Sequence, residues 1–230
     1  MTAGGIAASK PRSRAVAVER KVAYHHGNLR QALLDGGLHL LRTCGIGGLT
    51  LRECARLAGV SQAAIRNHFP DKNMLLAGLA ARGFEALAQR RSARQRPGAD
   101  LVGWLSLIIE NYVGFAIECP DLFRLMFAFE GLKRSEHPEL DAAAQTSYDA
   151  LRAALDAALK AERIDIGDID SAVFMLWSGM HGMAMLVIDG QRGPELVRQV
   201  SPKERCRQLA RLLVGGWRGG PRVDQKAAAR

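Results

Sequence analysis

The stretch LTLRECARLAGVSQAAIRNHFPDKNMLL, Leu49 to Leu76, reads as a helix, a glycine turn, a second helix and the start of a third. Thr50 stands where it can cap the first helix, with Glu53 three residues on, the spacing of a capping box. Ala55 is small where the second helix must cross close above it. Gly59 is free to take the left-handed conformation that ends a helix, and Val60 plugs the corner. Ser61 caps the second helix, whose buried side is predicted to be Ala64, Ile65 and Phe69. Gln62, Ala63, Arg66, Asn67 and His68 are left facing outward. They include donors and acceptors of the kind that reach base edges and phosphates. An ordinary helical hairpin would share the helix spacing but would not need that polar face.

Charge agrees with this placement. The chain of 230 residues carries a formal net charge of +9. Residues 1–96 hold 16 Lys and Arg against 5 Asp and Glu, whereas residues 97–230 hold 16 against 18. The basic excess lies in the half with the helix-turn-helix, as phosphate binding requires. Arginine-heavy codon usage would enrich both halves alike. With 48% hydrophobic and 24% charged residues, the chain is expected to be globular and to bury a core.

The segment GLTLRECARLAGVSQAAIRNHFPDKNMLLAGLA, residues 48–80, resembles the N-terminal domain of TetR-type transcriptional regulators. Gly59-Val60-Ser61, His68-Phe69, Asp71-Lys72 and Leu75-Leu76 carry the likeness. Arg66 departs from it, standing where the family usually has a tyrosine that touches a DNA phosphate; an arginine makes that contact with a full charge. Tyr24-His25-His26-Gly27-Asn28-Leu29-Arg30 resembles the opening of a subgroup with a Trp-His-Gly signature in its C-terminal domain. Here Trp177, His181 and Gly182, within FMLWSGMHGMAML, stand for that signature, and YVGFAIECPDLFRLMF (residues 112–127) also resembles the subgroup. The resemblance implies Thr50, Ser61, Gln62, Ala63, Arg66, Asn67, His68 and Lys72 as the DNA-binding set. It also implies double-stranded operator DNA, a small-molecule effector and a second copy of the chain as partners.

Four parts are expected along the chain: a basic arm (1–23), the DNA-binding domain (24–96), a ligand-binding and dimerisation domain (97–217) and a tail (218–230). The arm, with Lys10, Arg12, Arg14, Arg20 and Lys21, either lies along DNA or stays solvated. Leu29, Leu33, Leu34, Leu38 and Leu41 predict a first helix from about His26 to Thr43, ended by Gly45. Asp71 is expected to cap a long helix to about Arg94, and Arg96-Pro97-Gly98 to mark the boundary. Beyond it, apolar helices are predicted at about 100–118, 121–130, 138–161, 168–189 and 202–217, with no strand alternation. The fold class is therefore all-α.

Aromatic and methionine residues crowd the second half. Trp104, Ile108, Tyr112, Phe127, Trp177 and His181 are the candidate ligand contacts, with Glu110 and Asn111 as further polar groups. A plain core would use the same apolar residues, but ligand cavities too are apolar with a few placed polar groups. His181 either meets a ligand or bridges two helices. Gly179, Gly182 and Ala184 permit close helix approach, and the helix from Pro202, with Cys206, Leu209, Leu212 and Leu213 inward, is the expected partner in a four-helix dimer interface.

Several classes are disfavoured. Cys44, Cys54, Cys119 and Cys206 lack zinc-ligand spacing, which predicts no metal, no cofactor and reduced thiols in the cytoplasm. Cys119, before Pro120, is the one with a redox or ligand role to consider. No signal-peptide pattern opens the chain. Ala172 to Ile188 is marginal for spanning roughly 30 Å of hydrocarbon, so a buried helix and no membrane contact are expected. GxSxG, P-loop and HExxH motifs are missing, and Gly45-Ile46-Gly47-Gly48 is an incomplete dinucleotide fingerprint. An enzyme is thus not expected. A ligand-responsive regulator, a repressor by its resemblance, is the leading expectation, and a helical DNA-binding protein without effector is the alternative.

Overall fold

The computed structural model describes residues 29–93, 100–190 and 200–219. The basic arm, the Arg96-Pro97-Gly98 boundary, the Gly193-Pro194 break and the tail beyond Gly219 lie outside the described residues. Among those described there are helices and turns but no strand.

Helix α1 (Leu29–Gly48) is broken near its end by Gly45, whose φ of 67° no helix accommodates. Its Leu33, Leu34 and Leu41 are buried at the period expected of an amphipathic helix. Thr50 caps α2 (Leu51–Ala58) by accepting from the Glu53 amide at 3.2 Å. The Glu53 carboxylate completes no box; it turns instead to Arg56, at 2.8 Å. Gly59 ends α2 in the left-handed region (φ 68°), and the Val60 amide donates back to the Ala55 carbonyl at 3.0 Å. Ser61 then caps α3 (Gln62–His68), whose Ile65 is fully buried beside Phe69.

Asp71 accepts from the Met74 amide at 2.8 Å and starts α4 (Lys72–Ala93). This helix belongs to both halves of the molecule. In its early turns, a Cβ added at Gly78 would lie 3.1 Å from Leu34 and 3.2 Å from Phe69, so α4 sits tightly on the DNA-reading helices. Further on, a Cβ at Gly83 would run into Met126, and α4 packs along α6 (Pro120–Phe127) and α7 (Pro138–Ala161). Arg30 reaches across the same junction, pairing with Glu139 on α7 and lying over the Phe69 ring at 5.3 Å.

The second half is completed by α5 (Leu101–Glu118), α8 (Ile169–Ile188) and α9 (Pro202–Gly219). α5 is the central helix, packed against both α8 and α9. Asp100, Asp168 and Ser201 cap the three starts. The predicted helix at 121–130 is shorter than expected. It ends at Phe127, because Ala128 leaves the helical region and a 3₁₀ turn (Arg134–Glu136) follows.

Two expectations about packing are corrected. On α9, Cys206 is buried as expected and Leu209 and Leu213 pack partly buried against the core, joined by Ala210 and Val214, but Leu212 is 75% exposed. The buried stripe runs at i, i+4, i+8, which rotates Leu212 to the far side. Leu209 is used within the chain: a Cβ on Gly179 would meet it at 3.1 Å. Nor is α8 a buried helix. It is long and apolar enough to cross a membrane, yet Phe174, Met175 and Leu186 are each more than half exposed, and nothing stands over Gly182.

Candidate nucleic-acid interface and ligand cavity

Capping fixes the outward face of α3. Because Ile65 and Phe69 anchor its inner side, Gln62, Ala63, Arg66, Asn67 and His68 are all exposed. The side chains of Gln62, Arg66, Asn67 and His68 make no hydrogen bond or ion pair among the described residues, so their polar groups are available to an outside partner. The hydroxyls of the caps Thr50 and Ser61 accept from the Glu53 and Ala64 amides, and each retains a proton to donate. Lys72 is placed differently from the rest. It is half-buried, and its ammonium donates to the Ile46 carbonyl at 2.8 Å, tying the start of α4 to the frayed end of α1. Sequence reasoning missed Arg52, exposed and without an ion-pair partner among the described residues, two positions after the Thr50 cap. Its signal was that position, on the first turn of a helix entering the reader.

Between α4, α5, α7 and α8 lies a cavity of about 260 Å³. Ile108, Tyr112, Phe127 and Trp177 line it, as expected. Trp104 and His181 do not, and neither does Glu110. Asn111 does, and Phe84, Leu87 and Arg91 of α4 and Tyr148 of α7 join the lining. These last were hidden in the sequence because the α4 and α7 residues sit in helices whose apolar positions read simply as core.

His181 is one turn beyond Trp177 on α8, and both reach Tyr112 on α5. The Trp177 indole donates to the Tyr112 hydroxyl at 3.3 Å, and that hydroxyl lies 2.9 Å from His181 Nδ1. Burial raises the Tyr112 pKa well above its ordinary value, so the phenol keeps its proton and donates it to Nδ1 in the tautomer of His181 that carries its proton on Nε2. Burial also lowers the His181 pKa, which favours the neutral ring that this acceptor role needs. His181 stacks on Phe123 at 5.5 Å and so bridges two helices behind the cavity wall.

The thiols divide by environment. Burial pushes Cys54 and Cys206 each up to about 11, which leaves them protonated and unreactive. Cys119 is half-buried at the α5–α6 corner and Cys44 is exposed. No cluster able to hold a metal ion occurs among the described residues.

A capped helix-turn-helix with a free polar face, mounted on a helix that also walls an apolar cavity, defines the class of two-domain helical transcription regulators. Residues 33–79 match the model of the tetR family of bacterial regulatory proteins, and residues 105–211 match that of the tetracyclin repressor-like C-terminal domain. The chain belongs to the TetR family, whose members are transcriptional regulators rather than enzymes. Nucleoid occlusion factor SlmA of Vibrio vulnificus is 31% identical over 100 residues, 43% of this chain. The match spans about half (51%) of that relative's length. A protein of unknown function from Rhodococcus sp. RHA1 is 28% identical and superposes with a TM-score of 0.66, covering 86% of this chain and 98% of its own. The TetR family regulator PfmR from Thermus thermophilus shares the fold at 20% identity, with a TM-score of 0.56 over 83% of this chain and 99% of its own.

Proposed function

We propose that the chain is a ligand-responsive, dimeric repressor that binds a palindromic operator in the cytoplasm and leaves it when a small molecule fills the cavity. One observation carries this reading: α4 holds the reader at Gly78 and lines the cavity at Phe84, Leu87 and Arg91. A ligand that displaces those later turns moves the platform on which α3 rides. The Trp177, His181 and Gly182 positions support membership of the Trp-His-Gly subgroup.

DNA contact is assigned to Thr50, Ser61, Gln62, Ala63, Arg66, Asn67, His68 and Lys72, with Arg52 added. The apolar faces of α8 and α9, with Phe174, Met175, Leu186 and Leu212 uncovered, support pairing with a second copy. The coupling needed is modest, since roughly 1–3 kcal/mol changes affinity about 5- to 150-fold. Reciprocity supplies the test: a compound that binds the cavity is titrated into free protein and into protein saturated with operator DNA. Weaker binding to the operator complex is expected, and equal affinities would refute control of DNA release by this cavity.

A second reading is a DNA-binding protein with no small-molecule effector, since the chain's likeness over 100 residues is to a protein named for nucleoid occlusion and not for a ligand response. Absence of thermal stabilisation by any small apolar compound would favour it, because a cavity binder is stabilised by linkage.

A further inference from the structure

The cavity holds a cation that no carboxylate neutralises among the described residues. Arg91 lines it from α4, half-buried, and its guanidinium makes one hydrogen bond, from Nη1 to the Ser147 carbonyl at 3.3 Å. Among the described residues no carboxylate pairs with it. Its neighbours differ. Arg90, one residue earlier, is held by Glu118, and Arg134, on the same wall, donates twice to Asp141. No acidic side chain lines the cavity among the described residues, whose other walls are largely aromatic and aliphatic: Phe84, Leu87, Phe127 and Trp177.

We infer that the ligand of this cavity is a small organic acid, with an apolar body among those aromatic rings and a carboxylate on Arg91. A guanidinium stays charged in a protein and offers five N–H donors, of which one is engaged here. Withdrawing it from water beside apolar walls is costly unless an anion returns the lost solvation. The direction of its pKa agrees: burial alone lowers it, with no acid raising it again. A carboxylate accepts two donors from the guanidinium fork, the geometry that makes such pairs strong. Size sets the body. An engineered cavity of about 150 Å³ admits benzene, so about 260 Å³ suits a substituted aromatic ring or a medium-length acyl chain.

The inference rests on the cavity being a ligand site, and the experiment separates the two. Isothermal titration compares 3-phenylpropionate with 3-phenylpropionamide, and octanoate with octanamide, on the full chain and its Arg91→Met and Arg91→Lys variants. In the wild type the acids should bind about tenfold or more tightly than the amides. Arg91→Met should abolish that preference while still binding the amides, which also shows that the variant is folded. Arg91→Lys should retain part of the preference. Equal binding of acids and amides to the wild type, or an acid preference that survives Arg91→Met, would overturn the anionic assignment and leave the ligand site standing. Binding of neither acid nor amide would overturn both.

Discussion

Gln62 and Asn67 differ from the basic residues around them in what they can report. An amide side chain offers a donor and an acceptor and discriminates among base edges, whereas a cation satisfies any phosphate. Gln62→Ala or Asn67→Ala should therefore change which bases are preferred, by roughly 1–3 kcal/mol per lost bidentate contact. Binding-site selection on the variants checks this, and an unaltered consensus would remove α3's outer face from the reading role. His181 gives a pH signature. Its neutral form is favoured in the fold, so the unfolded chain protonates near the ordinary value of 6.5 and the folded chain only at lower pH. The stability it contributes is complete above that value and drains as pH falls through the folded pKa. The melting temperature of the wild type should thus fall more steeply between pH 7 and 5 than that of His181→Phe. Parallel profiles would mean that the ring titrates alike in both states.

At the scale of elements the sequence was most informative where local chemistry decides. Thr50, Gly59, Ser61 and Asp71 mark ends by hydrogen bonding or backbone freedom, and the helices start and stop beside them. Gly59→Ala tests one such mark without touching packing, because a Cβ there meets open space while φ stays at 68°. Thermal or urea denaturation should show a loss of about 1 kcal/mol, and unchanged stability would mean that the turn relaxes to another conformation. Element faces were less legible. Leu212 looked inward because apolar residues on α9 fall on more than one stripe, and periodicity alone does not say which stripe meets α5. Lys72 was legible as a cation but not as the donor to Ile46, since that contact depends on where the broken end of α1 comes to rest.

For the whole molecule, the two-domain layout and the helix-turn-helix were readable because each leaves a local mark, in caps, turns and charge asymmetry. The cavity was half readable. Tyr112, Phe127 and Trp177 stood out as aromatic residues, but the wall from α4 and α7 exists only once four helices have converged. The uncovered faces of α8 and α9 are likewise a property of the assembled fold, and they carry the central claim that two readers act together. Footprinting on DNA selected from a random pool, with sedimentation of the same samples, tests that claim most directly. The wild type should sediment as a dimer and protect a palindrome with half-sites about one helical turn apart, roughly 34–36 Å. Leu212→Glu should sediment as a monomer and lose the footprint. A wild-type monomer protecting a single half-site, or a Leu212→Glu dimer with full protection, would contradict the account.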